Sequence, residues 1–379
     1  MKTLLKSVYL TLRGVILNSL GVLLPRGAAP SSIAAPKKIL FIRIDRIGDL
    51  VLSTPALRAI KKRYPGAELT VLAGPAAAPL LASDPGVNRV IVWDASKGLR
   101  EEIKVISLLK GFHFDLAIDP YAEYEAKTAL IAFLSGAGTR VGYQSYGRGI
   151  FFNVEVSPMA ERAHFIDETL EVLKVLGINE PRRDPELFVS EEAAAEARAF
   201  LKNSGAEKNG FLVAVHPGGY YESQRWPPES FAAVIGALIE KYGAKVLLIG
   251  GLAERELVEN IAAGVAGGPG DKNIIKAVNL KTDLLCALMR ESRLFIGNNS
   301  GPLHIASALK IPSISTMGPT DPVRWYPFGP AQVVLRSELP CSPCNKGLCK
   351  THECMKNITP EMMLENVKRL TGTLGLNGK

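Results

Sequence analysis

Several features are missing from this sequence of 379 residues. There is no D-x-D pair anywhere, so a metal–diphosphate clamp has no obvious ligands. There is no G-x-x-x-x-G-K-[ST] loop, which sets aside the common nucleotide-triphosphate cradle. No RNA-recognition, zinc-finger or helix-turn-helix signature occurs, and basic residues do not interleave with aromatics, so no nucleic-acid partner is expected. An unbroken apolar run of the ~20 residues needed to span a membrane is also lacking. Arg13 interrupts the N-terminal "MKTLLKSVYLTLRGVILNSLGVLLPRG" and spoils it as a signal peptide, although "SSIAA" offers the small residues of a cleavage site. Low-complexity tracts and short-period repeats are absent. So are acids among the first 38 positions, which hold Lys2, Lys6, Arg13, Arg26, Lys37 and Lys38.

That one-sided charge, within a net +8, suits an anionic partner such as a phospholipid surface or a phosphorylated substrate. Leu5, Tyr9, Leu12, Ile16 and Leu20 recur near helical spacing, with Lys2, Lys6 and Arg13 offset from them. The segment reads as an amphipathic helix lying in a membrane interface. The alternative is a helix packed on the protein's own surface.

The remaining length exceeds one comfortable core and predicts two domains. Composition is that of an ordinary globular protein, 47% hydrophobic and 22% charged. After a Pro/Ala/Ser spacer near residues 28–36, apolar strands alternate with helices. Strands are predicted at Ile39–Ile44, Leu69–Ala73, Arg89–Trp93, Leu116–Asp119 and Arg140–Tyr143, with helices near 50–63, 75–82, 99–110, 123–135 and 163–176. The alternation restarts with strands at Phe211–His216, Lys245–Gly250, Asn273–Val278, Leu294–Gly297 and Ser313–Met317, and helices near 228–242, 253–264, 282–291 and 302–309. Apolar strands separated by helices mean parallel sheets covered on both faces. The expected organisation is an N-terminal segment (1–36), a first doubly wound α/β domain (37–180) and a polar link (181–208). A second such domain (209–340) and a cysteine-bearing tail with a closing helix (341–379) follow. In open parallel sheets ligands bind beyond the carboxyl ends of the strands, so the loops there are the candidate site.

The first of these loops is "RIDRIGD". Gly48 permits close approach of backbone to a ligand, and Asp49 stands at the helix start. Two readings fit Asp49: a helix cap accepting backbone N–H groups, or a general base. Those N–H groups and Arg46 are expected to lower its pKa, leaving it ionised but weakly basic. The second loop, "VHPGGYYESQRWPPESF", has Gly218 and Gly219 after a strand and Arg225 before a proline-marked helix start. Arg225 is either a solvated loop residue or a fork onto phosphate oxygens. In "IGGLAERE", Glu254 is either a first-turn acid favoured by the helix dipole or a holder of ribose hydroxyls. In the fourth loop Ser300 and Gly301 open a short helix that holds His304. Their N–H groups make a site suited to a diphosphate.

Taken in order, "RIDRIGDLVLSTPAL", "HPGG…RWPxExF", "NNSGPLHIA" and "GPTDP" resemble glycosyltransferase family 9, the bacterial lipopolysaccharide heptosyltransferases, over roughly residues 37–325. The resemblance implies the GT-B fold, two Rossmann-like domains facing across a cleft. It implies inverting transfer of a sugar, typically from ADP-heptose, to a hydroxyl of a lipopolysaccharide-core acceptor. The family's catalytic aspartate falls on Asp49, and the basic residue holding the donor diphosphate falls on Arg225. The diphosphate-binding helix start falls on Ser300, Gly301 and His304, and the ribose-contacting acid falls near Glu254. With Gly48, Gly218 and Gly219 these complete the expected site. Many relatives carry Asp where this chain has Asn299, and some carry small hydroxyl residues at Asp45 and Arg46. Catalysis without metal or cofactor is expected, on the cytoplasmic side of the inner membrane, with a nucleotide sugar and a glycolipid as partners. A glycosidase would need two carboxylates flanking one bond, whereas Asp45 and Asp49 share one short loop. Other readings are a transferase for another nucleotide sugar, an epimerase, or a non-catalytic glycan-binding protein on the same fold.

Cys341, Cys344, Cys349 and Cys354 form C-x2-C-x4-C-x4-C, with His352 inside and Cys286 apart. The cluster reads as a structural zinc or iron–sulfur site or as plain thiols, a cytosolic setting disfavouring disulfides. "TPEMMLENVKRL" reads as a closing helix, of the kind that in GT-B proteins often packs back on the N-terminal domain.

Overall fold

A computed structural model describes residues 2–20, 35–179, 181–206, 210–265, 268, 270–329, 331–373 and 375. Most of the spacer near 28–36 lies outside the described residues. The chain divides into two compact units, Met1–Arg183 and Asp184–Lys379. The first holds six parallel strands: β1 (Lys38–Arg43), β2 (Glu68–Ala73), β3 (Arg89–Val92), β4 (Leu116–Asp119), β5 (Thr139–Tyr143) and β6 (Val154–Val156). The second holds β7 (Leu212–His216), β8 (Lys245–Gly250), β9 (Ile274–Val278), β10 (Leu294–Asn298), β11 (Ser313–Thr316) and β12 (Gln332–Leu335).

The strand orders are β3-β2-β1-β4-β5-β6 and β12-β11-β10-β7-β8-β9. Counted from each unit's first strand they are the same order, the Rossmann order, written in opposite directions. Chain order reverses between β1 and β4 in the first sheet and between β7 and β10 in the second. At that point the loops diverge and leave a crevice. Both central strand pairs are buried on both faces, as helices covering a parallel sheet require. All ten predicted strands are present. The two that were missed, β6 and β12, are edge strands of three and four residues, too short and too exposed for an apolar run.

Several local expectations change. The helix predicted over 50–63 is two, Ile47–Val51 and Thr54–Arg63, separated at Leu52–Ser53. The stretch read as a polar link contains a helix, Glu191–Asn203, capped by Ser190 and packed on the helix Thr282–Arg290 of the second unit. Its Ala193, Ala194, Ala197 and Leu201 form one buried face, which small alanines leave almost silent in the sequence. The closing helix Pro360–Thr373 packs within the second unit. Met363 and Val367 join the core built on Val213, Val246 and Ile314.

The N-terminal residues Lys2–Leu20 form a helix whose Leu10 is buried and whose Gly14 lies against the backbone of Tyr146. Arg13 is turned back onto the protein and donates to the carbonyls of Tyr124 and Tyr146. Tyr9, Leu12, Val15 and Ile16 face outward. The contact needs a glycine at 147: its φ is +83°, and a Cβ there would stand 2.9 Å from the Gly14 Cα. Gly147→Ala is therefore expected to cost about 1 kcal/mol or more. Limited proteolysis should then cut the N-terminal helix faster, and denaturant melting of the first unit should show a loss of that size; unchanged protection of that helix would contradict the contact.

Candidate active site

In each unit the polar side chains gather at the sheet's switch point. The last residue of each of the four central strands is buried and polar: Arg43, Asp119, His216 and Asn298.

In the first unit Arg43 ends β1 with its guanidinium wholly inside. It pairs with Asp45 at 3.1 Å, donates to Thr169 Oγ1 and lies over the Phe165 ring. Asp119 ends β4 and is ion-paired with Arg148, which also bonds Thr128 and the Tyr121 carbonyl. These buried charges are matched, as burial requires. Asp49 lies on the same end of the sheet, in the helix Ile47–Val51 with Gly48 buried beneath. Its Oδ2 accepts the Arg46 N–H at 3.1 Å, so the capping reading holds. The expected low pKa does not. Burial, reinforced by the Asp45 carboxylate, outweighs Arg43, the Arg46 N–H and the Arg46 charge and lifts Asp49 to about 6. A cap with one N–H donor cannot offset lost hydration plus a like charge nearby. Asp45 is thereby explained too: it answers the buried Arg43 and raises the basicity of Asp49.

In the second unit the brace is Asn298. Its amide nitrogen donates to the carbonyls of Pro217 (2.7 Å) and Gly218 (2.9 Å), and its oxygen accepts Trp226 N–H (3.0 Å) and Thr316 Oγ1 (2.8 Å). Both ends of the loop after β7 and the end of β11 are thus fixed to the end of β10. Trp226 is buried, with its indole N–H on the Ile358 carbonyl, which anchors Arg225 beside it. Arg225 is half-buried and donates through Nε and Nη2 to the Gly219 carbonyl. Glu254 reaches back over Gly218, where any side chain would collide with its carboxylate. That carboxylate accepts the N–H of Gly219 (3.2 Å) and Gly251 (2.8 Å) and meets His216 Nε2 at 3.3 Å. Burial opposes its ionisation, but His216, the Gly251 N–H and Arg225 prevail and hold it near 2. His216 Nδ1 lies 3.0 Å from Ser300 Oγ. Ser300 precedes the helix Gly301–Ala308 in extended conformation, and His304 is buried one turn in, its ring 6.3 Å from that of Trp325.

Asn299 has a positive reason to be an amide. Its Nδ2 donates to the Trp325 carbonyl at 3.0 Å, where a carboxylate would bring oxygen against oxygen. Of the predicted residues, Gly48 and Asp49 lie in the first unit. Gly218, Gly219, Arg225, Glu254, Ser300, Gly301 and His304 belong to the second. The sequence reading gave no role to Arg43, His216 or Asn298; the available signal was a polar residue closing an apolar parallel strand.

The four clustered cysteines are all free thiols, Cys341 and Cys349 exposed and Cys354 buried. Cys349 accepts the His352 N–H, which lowers its thiol pKa. Among the described residues no group of three or more His, Cys, Asp or Glu side chains is placed to hold a metal ion. Burial and the neighbouring Cys344, Cys349 and Cys341 thiols push the Cys354 thiol up, so the four sulfurs lie near one another. What the loop does is hold others: Ser223 donates to the Lys346 carbonyl, His352 Nε2 meets the Ser223 carbonyl, and Ser342 donates to the Gly318 carbonyl.

The sequence profile of glycosyltransferase family 9 (heptosyltransferase) matches residues 103–355, about two thirds of the chain. The chain is similar to lipopolysaccharide heptosyltransferase 3 of Escherichia coli K12, with 29% identity across 74% of this chain and 82% of the relative. It is 28% identical to lipooligosaccharide heptosyltransferase 2 of Haemophilus ducreyi across 88% of this chain and 99% of the relative. The solved ADP-heptose LPS heptosyltransferase II of E. coli superposes with a TM-score of 0.75 at 23% identity, covering 89% of this chain and 99% of that one. At that identity the likeness establishes the fold, two Rossmann-like units of the GT-B class.

Two outcomes are expected. Asn298→Asp removes both amide donors and sets a carboxylate against two carbonyls, which costs on the order of 3 kcal/mol in urea melting; a loss under about 0.5 kcal/mol would remove the brace from its role. Asp49→Asn relieves a buried charge. Its stabilising effect, about 1 kcal/mol allowing for partial exposure, is present above pH 6 and vanishes as the pH falls through about 6 and wild-type Asp49 takes up its proton.

Proposed function

We propose, because the chain belongs to glycosyltransferase family 9, that it moves a heptose, with inversion, from an ADP-sugar to a hydroxyl of a lipopolysaccharide-core or related glycolipid acceptor. The observation that carries this reading is Asp49, a half-buried carboxylate in the short helix after β1 whose pKa stands near 6. Inversion needs a base for the acceptor hydroxyl, and Asp49 is ionised at neutral pH yet basic enough to take that proton as the new C–O bond forms. The C–O bond to the diphosphate breaks in the same step, and its electrons leave on ADP. Arg225 and the N–H groups at the start of the helix Gly301–Ala308 meet that developing charge. No cofactor enters, and with no D-x-D pair to carry a metal, these groups do the neutralising. Glu254 uses three of its roughly four acceptor positions within the protein, leaving one for a ribose hydroxyl.

The acceptor is a lipid-linked glycan, and the N-terminal helix supports a place at the inner face of the cytoplasmic membrane. Tyr9, Leu12, Val15 and Ile16 are each more than half exposed on one side of it, within a segment carrying only positive charge. No helix among the described residues is long and apolar enough to cross a membrane. The face fits the interfacial layer of an anionic leaflet.

Purified protein offered ADP-, UDP- and GDP-sugars is expected to bind ADP-heptose preferentially and to release ADP only with acceptor present. Preference for another nucleotide would move the assignment to another sugar, and ADP release without acceptor would speak for a different reaction. Asp49→Asn should lower kcat by about 100- to 10,000-fold with donor Kd little changed. In wild type kcat/KM falls as pH drops below about 6, and Asp45→Asn, removing the carboxylate that raises Asp49, moves that limb to lower pH. Co-sedimentation with phosphatidylglycerol vesicles, but not phosphatidylcholine vesicles, should weaken in a Leu12→Ser, Ile16→Ser variant; equal binding by that variant would rule out the helix as the docking face.

A further inference from the structure

Three side chains from separate segments of the second unit form one line: Glu254, His216 and Ser300. His216 is almost fully buried at the end of β7, and the motif reading assigned it nothing. Its Nε2 faces the Glu254 carboxylate at 3.3 Å and its Nδ1 faces Ser300 Oγ at 3.0 Å. We propose that His216 is a positioning residue for the donor, holding the Ser300 hydroxyl between the imidazole and the diphosphate so that its proton points at a phosphate oxygen. The proposal rests on the transferase reading and extends it.

The hydrogen-bond directions follow from donor and acceptor capacity. Glu254 already accepts two backbone N–H groups, a setting that keeps it ionised and acceptor-only, so His216 Nε2 must carry a hydrogen toward it. With Nε2 protonated, Nδ1 has two options. In the neutral ring it accepts the Ser300 O–H. In the imidazolium it donates to Ser300 Oγ and frees the O–H for another acceptor. The Asn298 carbonyl, 3.2 Å from Ser300 Oγ, is the acceptor within the protein. A diphosphate at the helix start is a stronger one, being anionic. In the bound arrangement the imidazolium donates through Nε2 to the Glu254 carboxylate and through Nδ1 to Ser300 Oγ, and the Ser300 O–H donates to a phosphate oxygen, with no covalent bond made or broken. Ser300 is free for this because it is not spent as a helix cap: its side chain makes no capping bond to the helix it precedes. Arg225 is the other charged group facing this line, since it acts on Glu254.

Two substitutions at one position separate this role from a structural one. Asn at 216 can place its amide near the Nδ1 position and keep Ser300, whereas Gln places it near Nε2 and keeps Glu254. Calorimetry with ADP as the probe, on variants checked for native melting, is expected to find His216→Asn within about threefold of wild-type affinity. His216→Gln, His216→Ala and Ser300→Ala should each be about 10- to 30-fold weaker. The His216→Ala, Ser300→Ala double variant should be no weaker than either single one, because both remove the same link. Additive losses, a Gln variant tighter than the Asn variant, or a Ser300→Ala variant that binds ADP like wild type would overturn the proposal. Absence of ADP binding by the wild-type protein would instead overturn the transferase reading beneath it.

Discussion

A single amide side chain holds the second unit's functional end together. Asn298 closes β10 inside the protein, where each of its polar atoms must find a partner, and it finds four, on the Pro217–Gly218 turn, Trp226 and Thr316. Only an amide of this length offers two donors and an acceptor at once. Because the Pro217–Gly218 turn is fixed, Glu254 can reach over Gly218 and His216 can stand between Glu254 and Ser300. Because Trp226 is fixed, Arg225 leaves the backbone at a set point. The cysteine-bearing loop adds a second restraint on the same region through Ser223 and Gly318. Its value to the protein lies at least in those bonds.

The first unit solves the equivalent problem with charge. Arg43 and Asp119 close its two central strands, and each has a buried ionic partner, Asp45 and Arg148. One partner lies in the turn that carries Asp49, so a structural ion pair also sets the electrostatics beside a candidate base. The contrast with Glu254 is instructive. Both carboxylates stand in the first turn after a strand, and burial opposes ionisation in both. Asp49 has one backbone donor and a like charge nearby and rises to about 6. Glu254 has two backbone donors, His216 and Arg225 and falls to about 2. Environment thus drives the pKa values of two similarly placed carboxylates apart.

The N-terminal helix presents one face to the protein and leaves the other exposed. Leu10 and Gly14 pack on the protein while Tyr9, Leu12, Val15 and Ile16 face away from it. Arg13, which broke the apolar run in the sequence, does so to reach two backbone carbonyls rather than to face solvent.

By itself the sequence determined the alternation of apolar strands and helices, hence two doubly wound units, and it placed the candidate residues in strand-end loops. Those features are local: an apolar run, a glycine before a helix and a proline in a first turn each act on the chain next to them. It left out β6, β12 and the alanine-faced helix Glu191–Asn203, whose short or small residues carry little periodic signal. Tertiary structure alone decided the pKa of Asp49, the partner of Asp45, the need for an amide at Asn299 and the line from Glu254 through His216 to Ser300. Each depends on groups brought close from distant points in the chain, where distance and desolvation set the energy and spacing along the sequence does not enter.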